Sequence, residues 1–398
     1  MKTHILAWAM AACALVSAAF AKKDDNATTP YESAVTVFEA GKNNSYASIR
    51  IPAIINAGGK MLVALAEGRH QNTDQGKNDL IVSISKDEGK TWSTPTVAAE
   101  AKGSTFNNPY PIYDAEKKQI ILFFQCYPPG VSEQGGNKPA AGWKDPKSLR
   151  NYVTTSTNGK KWSKPVDVTE TTKHEDAVLT CSGPNPGLQL TRGEHKGRLV
   201  VVFNEAPAFG NWHLTAAYSD DHGKTWKLGQ KSASGCGINE VSVAETEEGG
   251  IFVVSRTWGG SDRRRVAYSA DGGETWGDIT GHEELPSFNC QNGLTRYSFA
   301  DDETRGGKSR ILFSAPGKGG RKDGIIKMSY DDGKTWPVEK EIGPGPYAYS
   351  ALCPLKPGYF GVLFEVNASP LKIIRFAKVS VDWLTDGQDS GKADGKKK

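Results

Sequence analysis

An eight-residue string recurs along this chain and restricts its fold more than any other feature. "SKDEGKTW" at 85–92 returns as "SDDHGKTW" at 219–226, "SADGGETW" at 269–276 and "SYDDGKTW" at 329–336. A worn copy, "TSTNGKKW" at 155–162, keeps Gly159 and Trp162 and has Thr157 where the others carry Asp. Asp and Ser side chains cap backbone donors in a tight turn, Gly takes the positive φ such a turn needs, and Trp plugs an apolar seam. That is hairpin chemistry, and these aspartates are expected to hold turns rather than to react. Each copy lies between strand-like runs such as "HLTAAYS". The closing tryptophans, Trp92, Trp162, Trp226, Trp276 and Trp336, stand 70, 64, 50 and 60 residues apart. Such steps suit four-stranded antiparallel sheets arranged radially, an all-β propeller.

Composition agrees and removes several function classes. Forty-four Gly and 21 Pro without a collagen-like period imply many short turns, and 37% apolar with 24% charged residues describes a globular chain. The formal charge of +4 owes much to Lys392, Lys396, Lys397 and Lys398 in the tail "DSGKADGKKK" and to Lys2. The body is then near neutral, which argues against a nucleic-acid surface. Seven scattered His and no Cys-x-x-Cys give no metal site, and no cofactor is implied.

Residues 1–21 read as an export signal: a polar start, the apolar run "ILAWAMAACALVSAAF", and Ala19-Phe20-Ala21 before Lys22. The run is too short for a membrane span. It continues beyond Cys13, which favours ordinary cleavage over lipidation there, so the protein is expected to be periplasmic or secreted. Cys126, Cys181, Cys236, Cys290 and Cys353 remain, an odd number that leaves at least one thiol free. Residues 22–32 read as a linker, 33–385 as the propeller and 386–398 as a disordered lysine-rich tail.

The repeated strings resemble the Asp-box of the sialidase family. That resemblance implies six blades, with 33–40 and "LKIIRFAKVSV" closing the ring. Site residues follow from matching motifs. "IRIP" resembles an Arg-Ile-Pro element, making Arg50 one of three arginines that clamp a sialic acid carboxylate. "NEVSVAETEEGGIFVVSRT" resembles the segment that supplies Glu240 and the second arginine, Arg256, on either side of a hairpin turn. Arg321, eight residues before the last box, matches the third. Arg310 is its local rival, read as a packing or rim residue, and Arg263–Arg265 is read as an exposed turn.

"GPYAYSALCPL" resembles the nucleophile segment and gives Tyr349 rather than Tyr347. A neutral phenol suits a carbon that bears a carboxylate, because an Asp or Glu nucleophile would be repelled; Glu240 is the fitting base. Among Glu67, Asp74 and Asp79, the resemblance selects Asp74 as the acid, 24 residues after Arg50. Partial burial over an apolar ligand face is expected to raise its pKa enough to keep it protonated when needed. Arg69 matches an arginine near the sugar's 4-hydroxyl, and Glu365 a glutamate behind Arg50. Asn108 stands where an acidic residue often contacts the glycerol or N-acyl region. The insertion 126–149, with Trp143, is read as shaping the leaving-group side.

The resemblance thus implies a monomeric, retaining exo-α-sialidase acting on sialylated glycans, glycoproteins or glycolipids. A trans-sialidase and an inactive sialic-acid lectin are the rivals. A lectin would not need Tyr349, Glu240 and Asp74 together.

Overall fold

The boxes fold as their residue types dictate. In the first, Ser85 Oγ donates to Asp87 Oδ1 at 2.8 Å and accepts from Gly89 N at 2.8 Å, while Asp87 accepts from Thr91 N at 2.9 Å and Thr91 Oγ1 at 2.6 Å. Ser219/Asp221/Gly223/Thr225 and Ser329/Asp331/Gly333/Thr335 repeat this network. Glu88 and Gly89 are both left-handed, at φ +60° and +87°. The worn copy corrects the expected alignment. Asn158, not Thr157, fills the Asp role, accepting from Lys160 N and Lys161 N, and Ser156 reaches Gly159 N only three residues on. That turn is one residue shorter, and only Gly159 is left-handed in it.

The computed structural model describes residues 28–393 except 43, 134, 234–236, 258–261 and 367–371; the leader and Cys13 lie outside them. The described strands form five sheets. Ile238–Glu245, Ile251–Thr257, Arg263–Ser269 and Thr280–Pro286 make one four-stranded sheet, and Gly293–Ser298, Arg310–Ala315, Ile325–Ser329 and Val338–Glu341 another. Val35–Glu39 pairs antiparallel with Ile373–Ser380, so the first strand completes the sheet of the last three. Leu179–Ser182, Leu188–Gln189, Leu199–Ala206, His213–Ser219 and Lys227–Leu228 make a fifth group. The remaining eight strands, from Ser48–Asn56 to Val166–Asp167, count as one sheet, joined in the middle by a single parallel pairing of Asn78 with Thr105.

The opening strands Ser48–Asn56, Thr105–Asp114, Ile238–Glu245, Gly293–Ser298 and Ser350–Pro354 pack on one another around a common centre, a propeller-like arrangement. Core clusters fill the spaces between neighbouring sheets; Phe123, Phe203 and Trp226 share one such seam. The expected disordered tail begins too early. Asp389 is buried and takes Arg310 in a two-pronged pair, Nη2 to Oδ1 at 2.6 Å and Nε to Oδ2 at 2.7 Å, because an otherwise unpaired internal guanidinium demands an anion. Arg310 is thus a packing residue.

Among the described residues, Cys126, Cys290 and Cys353 are buried free thiols; the side chains of Cys181 and Cys236 lie outside them. No described helix is long and apolar enough to cross a membrane.

Candidate active site

Irregular pairing at the centre aims the site residues. The inner strands break register between Arg50 and Ala53, between Asn107 and Tyr110, and between Ile238 and Val241. Bulges re-aim side chains, and they are frequent beside active sites. Ile51 takes φ +65° and Asn108 φ +54° within two of these breaks. For a β-branched residue such as Ile51 this is strain, held only where surroundings over-determine it.

Glu365 supplies that determination. Fully buried, it accepts Arg50 Nε and Nη2 at 3.1 Å each, Ile51 N at 2.8 Å and Tyr349 N at 3.3 Å. One carboxylate thus fixes the arginine, the strained peptide and the tyrosine's backbone. Burial works against the charged Arg50, but Glu365, Tyr349 and Asp74 together outweigh it and hold the guanidinium's pKa above its ordinary value. Arg50 Cζ lies 4.9 Å from the centre of the Tyr349 ring and Arg321 Cζ 5.3 Å from it.

Tyr349 Oη donates to Glu240 Oε1 at 2.6 Å, and Arg256 Nη1 reaches Tyr349 Oη at 3.0 Å and Glu240 Oε2 at 2.8 Å. Burial, then the charge of Glu240, pushes the phenol pKa well above its usual value against Arg256 and Arg50. The phenol is therefore neutral at rest. Tyr347, its near neighbour in sequence, is instead turned into the core, stacked on Phe364 at 4.9 Å.

Asp74 lines the same cleft as Tyr349 and Glu240, its side chain 57% exposed. Arg69 Nη1 donates to Asp74 Oδ1 at 2.7 Å and Arg50 Nη1 lies 3.8 Å from the same oxygen. The upward pKa shift expected beneath a bound ligand is not present in the free protein. Burial does push Asp74 up, but Arg69, Arg50 and Arg321 together outweigh it, and the net direction is down. Arg69 is held in turn by buried Glu67, whose Oε2 accepts its Nε at 2.9 Å and Nη2 at 2.7 Å. Glu67 Oε1 takes Asn108 N at 2.9 Å, so Glu67 is spent on structure. Asp79 likewise holds Ala101 N, His70 and Tyr46.

Arg50, Arg69, Asp74, Glu240, Arg256, Arg321 and Tyr349 all line one cleft of about 310 Å³. Glu365 lies behind it. The cleft is also lined by Tyr127 and Glu133, hydrogen-bonded to each other, and by Phe209 and Trp212, with ring centres 6.0 Å apart. None of these four is singled out by motif; an exposed Phe209 after a buried strand is the one available signal. The insertion 126–149 therefore enters the cleft through Tyr127 and Glu133. Trp143 lies in a different cavity and donates its indole N–H to Lys173 O at 2.8 Å.

The arginine run 263–265 is also corrected: it opens a strand, and Arg264 is completely buried. Its Nε donates to Pro286 O at 3.1 Å and its Nη1 to Cys290 O at 3.0 Å and Asn292 Oδ1 at 2.8 Å. Burial pushes its pKa down to about 10. Among the described residues no cluster of His, Cys, Asp and Glu could hold a metal ion.

The cleft gathers a tyrosine hydrogen-bonded to a glutamate, an aspartate and four arginines on a propeller-like scaffold, a set suited to an anionic ligand. The BNR repeat-like domain profile matches residues 60–362, and the chain belongs to the sialidase family. It is 32% identical over 349 residues to a sialidase of Micromonospora viridifaciens, covering 85% of this chain and 52% of that protein. This chain thus spans about half the length of that relative. A Hadza microbial sialidase shares the fold with TM-score 0.77 at 24% identity, covering 88% of this chain and 69% of that one. A leech intramolecular trans-sialidase shares it with TM-score 0.75 at 21% identity, covering 89% and 71%.

Proposed function

We propose that the protein is a retaining exo-α-sialidase that removes terminal sialic acid from sialylated glycoconjugates. The observation that carries this is the placing of Tyr349, Glu240, Asp74 and three arginines on one cleft. Permanently charged planar donors suit a carboxylate at an anomeric carbon.

In the proposed reaction Arg50, Arg256 and Arg321 hold the substrate carboxylate. Asp74 gives its proton to the glycosidic oxygen as that bond to the anomeric carbon breaks. Tyr349 Oη bonds to the same carbon from the other side, and its proton passes to Glu240 across their 2.6 Å hydrogen bond. A water then attacks the sialyl-tyrosine, giving a proton to Asp74, and Glu240 returns the proton to the departing phenolate. Two displacements at one carbon give retention. The low resting pKa direction of Asp74 does not prevent this. A bound carboxylate cancels part of the Arg50 and Arg321 charge that depresses it.

Six blades fit this reading. Dividing the eight-stranded sheet at the lone Asn78–Thr105 pairing gives two further groups of four.

The test is proton NMR of the product released from an α-sialoside. Free sialic acid appearing first as the α anomer supports the proposal. First appearance of the β anomer overturns retention, a 2,7-anhydro product identifies intramolecular transfer, and binding without release identifies a lectin.

A further inference from the structure

Asn289 touches two of the cleft's arginines at once. Its Oδ1 accepts Arg256 Nε at 3.1 Å and Nη2 at 2.5 Å, and its main-chain carbonyl accepts Arg321 Nη2 at 3.4 Å. These contacts leave Arg256 Nη1 to Glu240 and Tyr349. Two like charges on either side of a binding point repel, and something must fix their separation. A carboxylate could do so, but it would neutralise the cations and compete with an anionic ligand. An amide oxygen orients both and leaves their charge available.

The backbone selects the same residue type. Asn289 has φ +51°, a conformation Asn tolerates and most side chains resist. Its loop is braced from beneath by Arg264, which binds the carbonyls of Pro286 and Cys290 and the side chain of Asn292 on either side of it. Among the described residues Arg264 has no carboxylate within ion-pair distance. A buried guanidinium without an anion is costly. Here its Nε and Nη1 hold this loop, while its buried Nη2 has no hydrogen-bond partner among the described residues.

We propose that Asn289 is a positioning residue for carboxylate recognition, setting the spacing and orientation of Arg256 and Arg321 without cancelling their charge. The inference rests on the reading that these arginines bind a substrate carboxylate.

The test compares Asn289→Gly and Asn289→Asp with the wild-type full chain, using 4-methylumbelliferyl α-sialoside. Glycine accepts the positive φ, and Asn289 is on the surface, so both variants are expected to fold; thermal melting checks this. Losing a hydrogen bond to a charged group should raise KM about tenfold in Asn289→Gly, with a smaller change in kcat. Asn289→Asp should raise KM further, and its excess over Asn289→Gly should shrink as pH falls and the new carboxyl is protonated. A purely structural role would not produce that pH-dependent excess. If wild type turns over and both folded variants keep KM within about twofold, the inference is overturned alone. A wild type that neither releases nor binds sialic acid overturns the underlying reading and this inference with it.

Discussion

Tyr349 Oη and Glu240 Oε1 are 2.6 Å apart, and Arg256 Nη1 binds both side chains, closing a triangle of phenol, carboxylate and guanidinium. Burial and Glu240 keep the phenol neutral at rest. In the proposed reaction its proton must therefore leave as the new bond forms, and Glu240, which already accepts its hydrogen bond, is the carboxylate to take it.

Replacing Glu240 with Gln keeps the size and the hydrogen-bond acceptor but removes the base. Steady-state kinetics of Glu240→Gln should show kcat lowered by about 10²–10⁴-fold with little change in KM. A loss below about tenfold would remove Glu240 from the proton path.

Glu365 has no solvent exposure and satisfies Arg50, Ile51 N and Tyr349 N together. Breaking a buried ion pair by removing one charge costs about 3–5 kcal/mol. Urea unfolding of Glu365→Gln should show a loss of that order, accompanied by a higher KM as Arg50 loses its support. A loss under about 1 kcal/mol would mean that Arg50 is held by something else.

The charges around Asp74 set a sign for the pH dependence. Burial raises its pKa, but Arg69, Arg50 and Arg321 carry it below the usual carboxylate value in the free protein. As the proposed acid it must be protonated, so kcat/KM, which reports the free enzyme, should fall as pH rises through that lowered pKa. A bound carboxylate offsets Arg50 and Arg321, so the corresponding limb of kcat should lie at higher pH. Coincident limbs, or a kcat limb at lower pH, would contradict this arrangement.

Box turns should affect stability and leave chemistry alone. Gly89 has φ +87°, and a Cβ there would meet Phe376 Cε1 at 2.1 Å. Left-handed strain of about 1–2 kcal/mol and overpacking of about 1–3 kcal/mol should add in Gly89→Ala. A clearly lower Tm with unchanged kcat per folded molecule is the expected result; a selective loss of kcat would link the turn to catalysis.

The sequence revealed some of this and hid the rest for identifiable reasons. Ser, Asp, Gly and Trp at fixed offsets act within one turn, so the hairpins were legible locally. The Arg50–Glu365 pair spans 315 residues, and only the family resemblance joined them before the fold did. Thr157 was misaligned because the worn turn is one residue shorter, which spacing alone does not reveal. The Arg263–Arg265 run read as exposed because charge normally is; the loop carbonyls that receive Arg264 become neighbours only through folding. The downward shift of Asp74 in the free protein is not legible in the sequence, because Arg50 and Arg321 join Arg69 beside it only through folding. Asn289 carries no motif, and its role depends on two arginines from other parts of the chain.

The most direct test of the account is to find which atom the sugar bonds to. A 3-fluorinated sialyl fluoride has a good leaving group, while its 3-fluorine disfavours the cationic second step, so a glycosyl-enzyme should accumulate. Peptide mass spectrometry of the trapped protein should place one fluorosialyl group on Tyr349, with none in Tyr349→Phe. Labelling of Asp74 or Glu240 instead, or full turnover of an ordinary sialoside by Tyr349→Phe, would contradict the central claim.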